Sequence, residues 1–479
     1  MREATTSEHT GRRGAIVWLI AALAWLLALA CGELRAQDTS GLRVYQEELR
    51  ARLDEQDEEA GAGLDAGGWA TIGIFNFDDA SGQKHTLRQY ELRGWASLNV
   101  NGIHKFYFRG LTGLDDWNSG TNPRFHHGDE VTEGRVERAW YELNLGRWLS
   151  GQAAATASPF GARIQVGRAF AEIGTAFVLS MPLDMIKFEV QADKWEFMGL
   201  LGKSVPWTPD IDTSYDIIQH QDRCLGGFEV AYTGFDRHKP FAYFLASEDH
   251  SSPEPDKVGQ KYDYSPRYVG VGSKGAVLLR DLRYQAELVG EFGQAYSEHA
   301  VSETDNICAL GADLLFEYLF HAKTSPKVSF EYMFGSGDDD RRAGSSSTIG
   351  GNRIGTTDNA FNSFGFRDTG IAFAPRVSNM NIYVLGASFF PFENHKLLKK
   401  MELGSKTFFY QKDESGGPIS DTSANTSQAW VGWEWDVYCD WRITSDMIWT
   451  VRYGAFQPGA AFDDQECRQF VFTGITYSF

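Results

Sequence analysis

The stretch that most restricts what this chain can fold into is Gln469 to Phe479 (QFVFTGITYSF). Side chains alternate across an extended strand, so Val471, Thr473, Ile475, Tyr477 and Phe479 share one face, and Phe470, Phe472, Gly474, Thr476 and Ser478 share the other. A helix would scatter both sets. An alternating strand that ends on an aromatic residue is how outer-membrane β-barrels of Gram-negative-type cells close, and this stretch is expected to be such a closing strand. The alternative is a soluble β protein that happens to end in Phe, and the rest of the chain decides against it.

The same period of two runs from Trp69 onward, giving about 18 strand candidates with boundaries loose by a few residues. The first lies near 68–77 and the last near 467–479, and no long helical pattern interrupts them. Short connections mostly alternate with long ones. Asn101-Gly102 carries a type I′ hairpin signal, and Asp193, Leu278–Arg280 and Trp441–Ser445 are similarly brief. Asp115–Glu133, Ser204–Asp222, Ser336–Asn379 and Lys412–Ser427 are long. Turns on one side and loops on the other are the arrangement of a transmembrane antiparallel β-barrel, with periplasmic turns and extracellular loops. Arg147–Gly161 breaks the rhythm, being too long for a tight turn.

Ahead of the barrel (68–479) the chain divides in two. Residues 1–36 have Arg12-Arg13 followed by an apolar run from Ala15 to Cys31 and a small residue, Ala36, and are expected to be a secretory signal peptide. Residues 37–67 hold Leu42, Tyr45, Leu49 and Leu53 at helical spacing within Leu42–Glu59, which predicts a short N-terminal periplasmic helix, able to dock a periplasmic partner, then a linker. Cys224, Cys308, Cys439 and Cys467 fit no metal spacing, and their pairing as disulfides stays open. The net charge of -19 argues against nucleic acid as a partner. No cofactor motif is present, and Asp338-Asp339-Asp340 is expected to be a solvated acidic loop, with Ca²⁺ binding as the alternative.

A charge facing lipid at mid-bilayer costs about 2–4 kcal/mol, so alternation assigns faces. Leu282, Tyr284, Ala286 and Leu288 turn outward to outer-membrane lipid, which places Arg283, Gln285 and Glu287 inside. The same parity puts Lys105, Tyr107 and Arg109 inside, with Arg93, Arg138, Arg163, Lys187 and Arg452 among the cations and Glu434 and Asp436 among the acids. Such charges either bind a passing solute or brace one another across the lumen.

Several local patterns carry a family resemblance. Val166-Gly167-Arg168 precedes Glu172-Ile173-Gly174 and Asp184; Phe334-Gly335-Ser336-Gly337-Asp338-Asp339-Asp340 precedes Phe364-Gly365; Gly432-Trp433-Glu434-Trp435-Asp436 precedes Tyr453-Gly454-Ala455-Phe456-Gln457-Pro458-Gly459. Together they resemble the alginate export family of outer-membrane porins over roughly Trp69 to Phe479. Ala169 stands where that family usually has Gln after Gly-Arg. The resemblance implies a barrel of about 18 strands whose positive lumen passes a polyuronate, an anionic oligo- or polysaccharide. It also adds Arg168 to the lumen, although parity from Ile164 and Val166 turns Arg168 outward unless Gly167 makes a bulge.

The expectation is an outer-membrane channel and not an enzyme. One alternative is a general or phosphate-type anion porin without polymer preference. A barrel enzyme would need a nucleophile and a base at one level, and no histidine sits in a Ser–His motif. A structural barrel would need a plugged lumen, which the loop Ser336–Asn379 is long enough to provide.

Overall fold

The computed structural model describes residues 63–121, 128–149, 160–208, 210–211, 222–250, 264–296, 304–341, 344–345 and 351–479. The expected signal peptide and the expected helix Leu42–Glu59 lie outside the described residues.

Alternating sequence becomes strand throughout. The strands are β1 (Gly63–Asp78), β2 (Lys84–Val100), β3 (His104–Trp117), β4 (Glu130–Asn144), β5 (Phe160–Ile173), β6 (Leu179–Ala192), β7 (Trp195–Ser204), β8 (Arg223–Tyr232) and β9 (His238–Asp249). They continue as β10 (Tyr264–Ala276), β11 (Leu282–Tyr296), β12 (Thr304–Leu319), β13 (Lys327–Gly335), β14 (Met380–Phe389), β15 (Met401–Lys412), β16 (Trp430–Arg442), β17 (Met447–Pro458) and β18 (Arg468–Ser478). Each pairs antiparallel with its neighbour in sequence, and β1 pairs with β18, so the 18-stranded sheet closes into a barrel. Closure leaves no unpaired edge, the condition for a sheet to cross a bilayer. The final aromatic residue completes it: Phe479 N–H donates to the Gly68 carbonyl at 3.0 Å and Gly68 N–H donates back at 2.9 Å. The first strand begins at Gly63 rather than near residue 68, because Gly63 to Gly67 continue the ladder opposite Asn99 to Trp95. Where the rhythm breaks after β4, the chain makes a single helical turn, α1 (Leu145–Leu149). No helix among the described residues is long and apolar enough to cross a membrane.

Parity holds along the strands. Leu288, Leu310, Trp433, Trp435, Val471 and Ile475 point outward and are exposed, while Glu287, Asp313, Glu434 and Phe472 point inward and are buried. Asn101 and Gly102 both take positive φ (58° and 65°), as the type I′ turn requires. All four described cysteines are free thiols, so no disulfide joins Cys224, Cys308, Cys439 or Cys467.

The interior is not an open tube. The connection 336–379 between β13 and β14 folds into the loop side of the barrel, where the short connection 174–178 between β5 and β6 meets it. Phe361 and Phe364 pack with Phe177, Leu245 and Tyr268; Phe373 packs with Tyr410, Phe456 and Phe462; Ile371 and Ala374 pack with Phe75, Leu87 and Phe472. These inward aromatic positions lie on opposite walls, so one loop spans the lumen and is held at three places.

Candidate functional site

Lumen carboxylates fix the inward loop. Glu434, on β16, accepts the backbone N–H groups of Ile371, Ala372 and Phe373 at 2.6, 2.7 and 2.8 Å and is fully buried. Three converging donors can compensate a buried carboxylate that would otherwise be costly to desolvate. Beside it the Phe373 ring stacks on Phe456 at 4.2 Å, 7° from parallel. Gly370 has a φ of +104°, and a Cβ there would stand 2.7 Å from the Glu434 carboxylate, so glycine is required at this approach. Glu291 accepts from Asn362 N–H (2.9 Å) and Tyr264 Oη–H (2.8 Å), and Glu287 accepts from Thr175 N–H (2.6 Å) and Tyr243 Oη–H (2.5 Å). Gly365 runs so close to the other connection that a Cβ would lie 1.8 Å from the Phe177 carbonyl.

The loop also brings its own charges inward. Arg367 donates to Asp313 of β12 at 2.6 Å and to the Thr175 hydroxyl at 2.6 Å, tying both connections to the wall. Asp368 pairs with Lys406 of β15. Burial pushes the Asp368 carboxyl up, but the Lys406 ammonium and the Gly370 N–H outweigh it and hold it below the usual carboxylate range. Further out, Asp338 accepts from Asp340 N–H and Asn359 N–H, and burial raises its carboxyl despite these bonds. Ligand atoms of Asp338, Asp339 and Asp340 lie within 4.8 Å of one another, but Asp338 is spent on the turn and Asp340 pairs with Arg353 at 3.0 Å.

The residues expected to line the lumen separate into three groups. Arg93, Arg109 and Arg452 face inward but are buried and neutralised: Arg93 by Glu91 (2.8 Å) and Glu137 (3.1 Å), Arg109 by Glu137 (3.1 Å), and Arg452 by Asp440 (2.9 Å). Glu434 and Asp436 are likewise buried, Glu434 beneath the loop, so these five brace the lumen rather than lining open water. Arg138, opposite Arg109, lies over the Phe170 ring at 5.2 Å. Lys105, Arg163, Lys187 and Arg283 remain accessible, all toward the turn side. Arg163 is 57% exposed and lies 3.8 Å from Glu189, which Lys187 contacts at 3.1 Å.

Arg168 is a correction. It pairs with Asp184 through two bonds of 2.8 and 2.9 Å, and both stand between inward Gly167–Met185 and Ala169–Leu183 pairs, so they face outward. Gly167 does take a positive φ of 125°, yet no extra residue is inserted against β6, and parity prevails. The Gly-Arg and Asp of the sequence pattern are therefore one cross-strand ion pair on the outer wall.

Glu137 is a residue that alternation misses. A register shift between Arg109 and Gly110 lets Glu137 and Arg138 share one opposing residue, so Glu137 joins the inward side. Arg367, Asp368 and Glu291 are also absent from the expected set, since loop residues have no parity and Glu291 shows its role only once Asn362 lies over it.

The model of the alginate export family matches residues 186–474. The chain belongs to the alginate export family. It is an outer-membrane β-barrel of porin type. The matched region contains Glu287, Glu291, the inward loop and the Glu434 hairpin, so the family segment includes most of the loop's anchorage. No curated protein matches the sequence. Among solved structures, the chain is similar to Pseudomonas aeruginosa OccK7 (OpdD), with 12% identity, coverage of 88% of this chain and 99% of that one, and a TM-score of 0.53. It is also similar to P. aeruginosa OccK11 (OpdR), with 9% identity, coverage of 87% and 96%, and a TM-score of 0.51. P. aeruginosa OpdK, solved with vanillate, has 9% identity, coverage of 87% and 98%, and a TM-score of 0.51. At such identities the likeness is one of fold.

Proposed function

We infer that this family member is a non-enzymatic channel passing an anionic oligo- or polysaccharide, of the polyuronate kind, by diffusion through its charged lumen. The observation that carries the inference is the sorting of charge. The lumen cations Arg93, Arg109, Arg367 and Arg452 are buried or nearly so and matched by acids, whereas Lys105, Arg163, Lys187 and Arg283 remain accessible on the turn side. Acids stand among them, as Glu189 does beside Lys187, so each site would hold a carboxylate weakly. Successive weak sites suit conduction, because a solute must leave as well as enter. Membership in a family named for alginate export supports the same solute class.

A second reading is favoured by the inward loop. A lumen crossed from Glu291 to Phe75 is narrowed, which suits a small anion in a porin without polymer preference. Uptake into liposomes separates the two. The polyuronate channel predicts that trimers to hexamers of mannuronate enter protein-containing liposomes faster than uncharged glucan oligomers of equal length. Equal entry of both, or entry of monomeric acids alone, would overturn the polyuronate reading.

A further inference from the structure

One part of the lumen wall departs from charge matching. A cleft of about 950 Å³ opens at the turn side between the β8–β9 turn, the β10–β11 turn and the strands joining them. Lys239 of β9 and Lys274 of β10 stand directly opposite each other, and both point inward. Like charges directly opposite on neighbouring strands are destabilising. Lys239 is matched by Glu196. Lys274 makes no ion pair among the described residues; its Nζ lies 3.4 Å from the Gly174 carbonyl of the inward connection. Arg283 stands opposite Glu317, yet Glu317 turns to Lys327 at 3.5 Å and leaves Arg283 without an ion pair among the described residues. Arg280 and Arg237 add charge from the turns, and the Arg237 guanidinium donates to the Leu278 carbonyl at 3.4 Å, with no ion pair among the described residues. Against these the cleft sets one further acid, Asp236, and the already engaged Glu317.

Deeper in the barrel several buried cations are each supplied with an acid: Arg93 has Glu91, Arg452 has Asp440 and Arg367 has Asp313, while buried Lys412 is held by the Ala424 and Thr426 carbonyls. We propose that the cleft bounded by Lys274 and Arg283 is the turn-side docking site for the anionic chain, in which solute carboxylates supply the missing counter-charges. This rests on the polyuronate reading for the solute, and on the geometry alone for the anion site. Lys274 and Arg283 lie on adjacent strands, so two neighbouring acidic sugar units can be held together. An ammonium offers a point charge and a guanidinium a planar fork. The contact of Lys274 with Gly174 places the site just beneath the inward connection, so a chain bound there is at the start of the constricted path.

The test uses the full-length channel in a planar bilayer. Mannuronate trimer, or tripolyphosphate, is added to one side and then the other, with wild type, Lys274→Gln/Arg283→Gln, and the outward-facing Arg267→Gln as control. The proposal predicts block that is stronger from one side and at least tenfold weaker in the double variant, with open conductance retained and Arg267→Gln unchanged. Equal trimer block in wild type and double variant would overturn the cleft while leaving the polyuronate channel standing. Tripolyphosphate block lost in the double variant, without any trimer block, would keep the anion site and overturn the uronate. Absence of both blocks in wild type would overturn both. Retained strand content by circular dichroism distinguishes a lost site from a misfolded variant.

Discussion

A single carboxylate shows how position decides the role of a charge here. Glu434 has the parity of a lumen-lining acid, but three backbone N–H groups from one loop converge on it, so it anchors structure. Leaving a buried N–H without an acceptor costs roughly 1–3 kcal/mol. Glu434→Ala is therefore expected to release the middle of the inward loop while the ladder bonds of β16 stay intact. Single-channel recordings should show larger conductance with frequent switching, and circular dichroism should show unchanged strand content. Traces identical to wild type would mean the loop is held without it. The inward or outward direction of Glu434, Arg93 and Arg452 was legible in the sequence, because an alternating strand has only two faces. Whether each meets solute or a neighbour was not, because the partners lie on other strands or in the loop. Glu137 shows the limit of parity: one inserted residue moves an acid to the inward side, and no local pattern announces it. Arg168 shows the reverse, where simple alternation was right and the expected bulge did not form.

At the level of elements, the inward loop behaves as a separate unit docked by charge and aromatic packing. Its Asp368 is held below the ordinary carboxylate value of 3.8 by Lys406, despite burial. A folded-state pKa below the unfolded one gives stability that is present above pH 3.8 and lost as pH falls through the folded value. The Asp368–Lys406 contact should therefore contribute fully above pH 3.8 and be lost in stronger acid, seen as channel switching that grows below pH 3.8. Asp368→Asn should bring that switching to neutral pH. If the variant is as quiet as wild type at pH 7, the Asp368–Lys406 pair does not hold the loop. The strands themselves were legible, since apolar and polar residues alternate, Asn101-Gly102 specifies its turn, and short and long connections take turns. The path of residues 336–379 was legible only as a length. Gly365 and Gly370 mark its tight points, but which surfaces they approach is a property of the closed barrel.

For the whole molecule, the acidic total of -19 conceals how charge is distributed. Several interior acids are matched by arginines or by the inward connections, and the accessible lumen cations Lys105, Arg163, Lys187 and Arg283 lie toward the turn side. A net charge read from the sequence thus says little about the ion a lumen prefers. The barrel follows from the sequence because burying alternate residues against lipid and closing Phe479 onto Gly68 satisfy every strand at once. On the proposed reading, selectivity follows from the few lumen charges that have no ion pair among the described residues, of which Lys274 and Arg283 are the clearest. The most direct test is the reversal potential of the open channel in a tenfold KCl gradient at neutral pH. An anion-selective lumen predicts a potential on the chloride side of zero, moved toward zero by Lys274→Gln/Arg283→Gln. A potassium-side potential in wild type, unmoved by the double variant, would contradict it.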